Sequence, residues 1–346
     1  MKRRQVMRGL MAASVLSAGP LPALAAHGPM TLLAAGPAGE RIGRWGTALA
    51  LAMQPAMPGN PTIVVQRLGG LDGVTGANRL DTLVVPDGRT AAIIPGDALI
   101  AWLTGDPRVH FDPTRWIPVM AGARSGVLVV RLPAGAPATV STLRMMPPLR
   151  LAADEPQSSD LAVLLALARL GLRCAPIFGV RDTAAKTQAF LTGEADAVFL
   201  CGEGVAEDIA PLTTAGGVPI FDLGMLDAAG LAVPDPQFPT LPDAVSLGAG
   251  TSDFLDAAYR AAAAAARLDF MMVLPRLTDS AAVAQWRQAA KAAMQSPAVT
   301  AAAAASAVLL QDAPTTGAGL DRLRLVAMDQ SGLQAFLKQS FGWQPG

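Results

Sequence analysis

Brief apolar runs alternate with longer amphipathic stretches along most of this chain. The runs at Met30–Ala35 (MTLLAA), 63–65, 91–94, 126–131 (GVLVVR), 149–153, 175–178, 195–200, 218–223 and Leu268–Leu274 are bounded by turn residues. They predict buried strands. Between them, helical spacing of apolar positions predicts helices over about 42–55, 161–170, 183–191, 206–215, 251–267, 280–294 and 320–337. The alanine run 298–307 is short and only weakly apolar, so it predicts a helix interior or helix end rather than a membrane span. Strand, loop and helix recur in that order. This is the pattern of an α/β protein with mostly parallel sheets and helices on both faces.

The pattern is densest at 63–80, IVVQRLGGLDGVTGANRL. A short strand breaks into Gly69, Gly70, Gly73 and Gly76, and a helix is expected from Ala77 onward. Glycine at this density permits positive φ and close backbone approach. A strand, glycine loop and helix start form a nest of backbone N–H groups suited to an anion or carboxylate, and equally a tight turn with no ligand. The spacing at 70, 73 and 76 does not fit the dinucleotide-binding fingerprint. The loops 36–41, 69–76 and 95–97 all follow strands, so they share one sheet edge, where α/β proteins place their ligands.

The first 26 residues stand apart. Lys2, Arg3, Arg4 and Arg8 precede a short apolar stretch and the small-residue site Ala23-Leu24-Ala25, which predicts an export signal with a twin-arginine character. The chain carries 27 basic and 27 acidic residues; without those four bases, 23 remain against 27, a net of −4. That balance argues against a nucleic-acid or anionic-lipid surface. Cys174 and Cys201 are expected at opposite ends of a sheet as separate thiols, and with only two histidines a zinc site is not expected. No catalytic motif stands out, and no cofactor is expected. His110 beside Phe111-Asp112-Pro113 reads as a linker histidine, and Glu203 and Glu207 as a solvated face.

Seven segments resemble, in order, those of Bug-type extracytoplasmic solute receptors, the binding components of tripartite tricarboxylate transporters. They are MTLLAAGPAG (30–39), VVQRLGGLDGVTGA (64–77), PDGRT (86–90), VHFDPTRWIPV (109–119), TGEADAVF (192–199), DPQFPTLPD (235–243) and SPAVTAAAAASAVLL (296–310). The resemblance covers nearly all of the chain after the signal. It implies a two-lobed periplasmic binding protein of type II-like architecture, with two chain crossovers at the hinge: lobe one 27–123 and 224–346, lobe two 124–223.

It also implies capture of a small organic molecule between the lobes, delivery to the membrane permease subunits of a tripartite transporter, and a monomer. Ligand contacts are expected from Pro37, Ala38, Gly39, Gly70, Gly73, Gly76 and Asp97 in lobe one, and from Ser158, Ser159 and Arg181 in lobe two. The chain departs from the family pattern at Glu40, Arg41, Asp72, Val74, Leu200 and the acidic loop Asp154-Glu155. The alanine-rich helix 251–267 has no clear counterpart. Acids at these positions favour a monocarboxylate, zwitterion or amide over citrate. Two other readings remain open: an exported enzyme using acids such as Glu40 and Asp154, and a degenerate sensing or interaction module.

Overall fold

The computed structural model describes residues 29–36, 40–70, 72–248, 250–327 and 330–345. The expected export signal lies outside them, as do Pro37, Ala38 and Gly39.

The chain first lays down β1 (Met30–Ala35), α1 (Arg41–Met53), β2 (Ile63–Leu68), α2 (Val74–Leu83), β3 (Thr90–Ile94), α3 (Gly96–Thr104) and β4 (Ile117–Ala123). A single residue, Arg124, then joins β4 to β5 (Ser125–Arg131) of a second sheet. That sheet continues through α4 (Val140–Met145), β6 (Leu149–Ala152), α5 (Asp160–Arg169), β7 (Cys174–Ile177), α6 (Thr183–Leu191), β8 (Ala197–Gly202), α7 (Val205–Thr214) and β9 (Gly217–Asp222). The return passes through a two-stranded ribbon, β10 (Met225–Leu226) with β11 (Ala232–Val233), and then α8 (Asp253–Ala266). The first sheet is completed by β12 (Leu268–Leu274), α9 (Ser280–Met294), α10 (Pro297–Ala305) and β13 (Leu309–Asp312), followed by α11 (Ala313–Ala327) and α12 (Gln330–Phe341).

The two sheets run β13-β4-β12-β3-β1-β2 and β7-β6-β8-β5-β9. This is the two-lobed α/β architecture with two crossings between sheets. The expected parallel pairing holds for β1 with β2 and β3, and for β6 with β7 and β8. The rest of each sheet is antiparallel: β12 pairs antiparallel with both β3 and β4, and β5 with both β8 and β9. The sheets are therefore mixed rather than mostly parallel. Strands that carry the chain across, or bring it back, run against their neighbours, and no βαβ crossover forces them parallel.

Three elements depart from the sequence expectation. β4 (IPVMAGA) carries Pro118, which breaks a strand pattern, and β13 (LLQD) is only four residues with two polar ones, so neither gave a clear strand signal. The C-terminal helix is two helices, the first starting at Ala313, where Asp312 Oδ1 accepts the Thr315 amide at 3.1 Å.

One apolar core passes through both lobes. It includes Leu33 and Ile94 of the first sheet, Leu128 and Leu151 of the second, and the α5 and α8 faces between them. Residues 161–167 of α5 are entirely buried. α8 begins at a Ser252 cap, whose Oγ accepts the Leu255 amide at 3.2 Å. It ends against α3, where Gly96 makes room: a Cβ there would stand 2.1 Å from the Ala265 carbonyl oxygen.

Candidate functional site

A cavity of about 460 Å³ opens between the two sheets. Asp72, Asp97, Ala101 and Arg108 line it from the first, and Asp154, Glu155, Gln157, Ser158, Ser159, Asp160, Arg181 and Lys186 from the second, with Arg124 beneath. A cavity of about 520 Å³ lies elsewhere, between residues 228–230, Arg287 and the start of α11. Its walls all lie outside the second sheet's segment, whereas the cleft is built by both lobes, as a ligand site at a domain junction should be.

The sequence places these groups by ordinary local rules. Asp97 stands in the first turn of α3, where a carboxylate complements the helix dipole. Asp160 does the same for α5. Its Oδ2 accepts the Asp154 amide at 2.7 Å, and both oxygens meet Lys186 Nζ at 2.6 and 2.8 Å. Lys186 lies on the buried stripe of α6 with Ala189 and Phe190, and also donates to the Phe199 carbonyl. Both partners are buried, so removing one would leave an uncompensated charge.

Asp154 sits 3.5 Å from the largely exposed Arg181. Burial, and then the nearby Asp160, hold its carboxyl above the usual aspartate range. Asp97 is flanked by two guanidiniums at looser range, Arg124 at 3.6 Å and Arg41 at 3.8 Å. Arg41 also meets buried Asp269 at 3.1 Å, and Asp269 accepts Trp45 Nε1 at 2.7 Å. Burial raises Asp269, against the lowering pull of Arg41 and Arg124. On the same wall as Asp97, Arg108 joins Asp72, at 2.7 Å, to Asp106. Burial opposes the Asp106 charge, but hydrogen bonds and charge from Arg108 outweigh it and hold the carboxyl below its ordinary value.

The lobes touch across the cleft. Gln157 Nε2 donates to Asp106, Arg44 Nη2 lies 3.3 Å from Glu203, and the Phe178 and Phe341 rings meet edge-on at 6.3 Å.

Of the residues expected to hold a ligand, Asp97, Ser158, Ser159 and Arg181 line this cavity together. Pro37, Ala38 and Gly39 lie outside the described residues. Gly70, at φ 103°, is exposed on its loop. Gly73 and Gly76 are buried packing positions: a Cβ would come 2.5 Å from Pro95 Cδ at Gly73 and 2.3 Å from Ala35 Cβ at Gly76. Gly73 also has φ 76°, so a valine there would disturb the fold instead of merely blocking a loop. The Ser158 hydroxyl is spent locally, donating to the Glu155 carbonyl and accepting the Asp160 amide. Asp72, Asp154 and Glu155 line the cavity, whereas Glu40 is an exposed cap residue of α1 outside that lining, so Glu40 and Asp154 are not joint walls of the cavity.

Sequence reasoning missed Arg108, Arg124, Asp160 and Lys186. Two of them left a signal. Lys186 is a lone base on an apolar helix stripe, and Arg124 is the one charge inside the apolar stretch 117–130. Both thiols are free: Cys174 opens β7, where burial pushes it up to about 12, and Cys201 lies near the end of β8 with β6 between the two strands. Among the described residues, no group of three or more His, Cys, Asp or Glu is placed to hold a metal ion, and no helix is long and apolar enough to cross a membrane.

The two sheets, their paired crossings and the cleft between them define the fold class of two-lobed solute-binding proteins. A TctC solute-binding protein from Polaromonas matches at TM-score 0.68 and 17% identity, over 89% of this chain and 98% of that one. MatC from Rhodopseudomonas palustris with bound malate matches at TM-score 0.52 and 18% identity, over 88% and 97%. A second R. palustris protein, with adipate, matches at 0.51 and 16%, over 90% and 97%. No protein-family model and no curated protein sequence matches the chain.

Proposed function

We propose that this chain is a periplasmic solute receptor of the Bug type. It captures a small organic molecule between lobes 27–123 plus 224–346 and 124–223, and hands it to the permease subunits of a tripartite transporter as a monomer. The observation that carries this reading is the cleft, walled by charged side chains from both lobes. The fold shared with solute-binding proteins and the leader-like residues 1–26 support it.

The cleft chemistry favours a zwitterion, and after it a monocarboxylate or amide. Asp72, Asp97, Asp154, Glu155 and Asp160 face Arg108, Arg124, Arg181 and Lys186, five acids against four bases. Of these, Asp160 and Lys186 satisfy each other, as do Asp72 and Arg108. The remaining pairs are looser: Asp97 has Arg124 and Arg41 at 3.6 and 3.8 Å, and Asp154 has the largely exposed Arg181 at 3.5 Å, so Asp97, Asp154 and Glu155 can turn to an ammonium group and Arg181 to a carboxylate. A like-charge pair at about 4 Å costs roughly 4 kcal/mol at a protein surface, which would offset much of the affinity for a dianion. The two R. palustris proteins hold malate and adipate; this cleft should prefer ligands with fewer negative charges.

Calorimetry against amino acids, monocarboxylates, amides, dicarboxylates and citrate tests this directly. Amino-acid or monocarboxylate binding, weakened at least tenfold by Asp97→Asn or Arg181→Gln, is the expected result. Micromolar citrate or dicarboxylate binding that both variants retain would overturn the ligand class. Turnover of any ligand would overturn the receptor reading.

A further inference from the structure

Away from the cleft, where β9 ends and α8 hands over to β12, a small space of about 20 Å³ is lined by Asp243, Tyr259, Arg260, Arg267 and Arg322. Two of these side chains are more than nine-tenths buried and short of partners. Arg267 is 8% exposed and Tyr259 1%. Arg267 Nη2 donates to the Leu223 carbonyl at 2.7 Å, but its Nε and Nη1 and the Tyr259 hydroxyl have no hydrogen-bond partner among the described residues. A buried guanidinium in that state is costly unless something else meets it.

The surrounding charges supply no contacting counter-ion among the described residues. Arg260 is held by Asp256 at 2.6 Å, and Asp256 also holds Arg169 at 2.5 Å. Arg322 donates to the Gly230 carbonyl. Among the described residues, no carboxylate lies within 4.0 Å of Arg267 or Arg322. Asp243 is in the wall and acts on Arg267 electrostatically, but it makes no ion pair with it; its Oδ1 accepts the Val245 and Ser246 amides. Asp222 is close enough to act on Arg267 electrostatically, yet burial pushes its carboxyl up to about 7, so it is a weak counter-charge at neutral pH. The lining thus holds three guanidiniums to one carboxylate, and unused donors. The volume suits one water-sized solute better than a carboxylate, phosphate or sulfate.

We propose that this space is a binding site for one monatomic anion of the chloride class, held by the Arg267 guanidinium and the Tyr259 hydroxyl with Arg322 in its wall. A water molecule would satisfy the donors but leave the Arg267 guanidinium without an anion in contact. The occupant would fasten the end of lobe two, through Leu223, to α8 and α11.

Crystals of the wild-type chain soaked in bromide test the site. An anomalous peak within hydrogen-bonding reach of Arg267 and Tyr259 is expected; water at that position with no anomalous signal would overturn the proposal. In solution, exchanging gluconate for chloride at constant ionic strength and pH should raise Tm by roughly 2–5 °C. The rise should shrink in Tyr259→Phe and vanish in Arg267→Met. If Arg267→Met fails to fold, Tyr259→Phe still decides. Equal Tm in both salts for the wild type, or an undiminished chloride response in Tyr259→Phe, would overturn it.

Discussion

Asp222 shows how one side chain can give the whole protein a pH dependence. Its Oδ1 accepts the Gly224 amide at 2.7 Å, while its Oδ2 is buried without a partner. Burial, with Asp235 and Asp243 adding to it, pushes the carboxyl up from 3.8 to about 7. Between those values the folded chain keeps a proton that the unfolded chain has lost, so stability falls as pH rises. The contribution is complete below about pH 4 and gone once the pH passes about 7. Asp222→Asn keeps an acceptor for Gly224 and removes the proton. From pH 5 to pH 8 the wild type should lose about 1–3 kcal/mol more than the variant in urea unfolding. Equal losses would show that Asp222 ionises freely in the fold. None of this was legible in the sequence, where Asp222 is merely the one charge in the apolar run 218–223. Its burial depends on residues 242–244, which lie against it only in the folded chain.

Among the elements, most strands and helices could be read from the chain because their apolar spacing is regular. α6, β12 and α9 fall on their expected residues. The glycines were harder. Gly69 and Gly96 look alike in sequence, each beside a turn. In the fold, Gly69 faces open space, while a Cβ on Gly96 would strike the Ala265 and Leu268 carbonyl oxygens at 2.1 and 2.8 Å. Backbone cannot give way as a flexible side chain can. Gly96→Ala should therefore cost about 1–3 kcal/mol or more, by separating α3 from α8, and Gly69→Ala should stay within about 0.5 kcal/mol. Urea midpoints compare the two; equal midpoints would show that α3 shifts without penalty. The candidate site divides in the same way. Asp97, Ser158, Ser159 and Arg181 sit at helix starts and strand ends, where a chain pattern can find them. Arg108 reaches the cleft from an irregular segment whose course no periodicity encodes.

For the whole molecule, the contacts across the cleft set how readily the lobes part. Arg44 with Glu203 is an exposed pair, worth at most about 1 kcal/mol. Gln157 with Asp106 adds one charge-assisted hydrogen bond. Removing both, in Arg44→Ala with Gln157→Ala, should enlarge the radius of gyration of the ligand-free protein in small-angle scattering. It should also weaken ligand binding, roughly two- to tenfold. An unchanged scattering curve would mean that the shared core of α5 and α8, not these contacts, holds the lobes together.

The place of β12 has a consequence for how the chain comes to be folded. It lies between β3 and β4, and all three are buried. Yet it is supplied only after the entire second sheet has been made. Until residues 268–274 arrive, β3 and β4 have no common neighbour, and each leaves an apolar edge open to other chains. The second sheet, continuous in sequence, can close early; the first must wait for a contact of long sequence separation, which is slow to form. The late step thus falls on the half of the molecule whose unfinished edges are most prone to association.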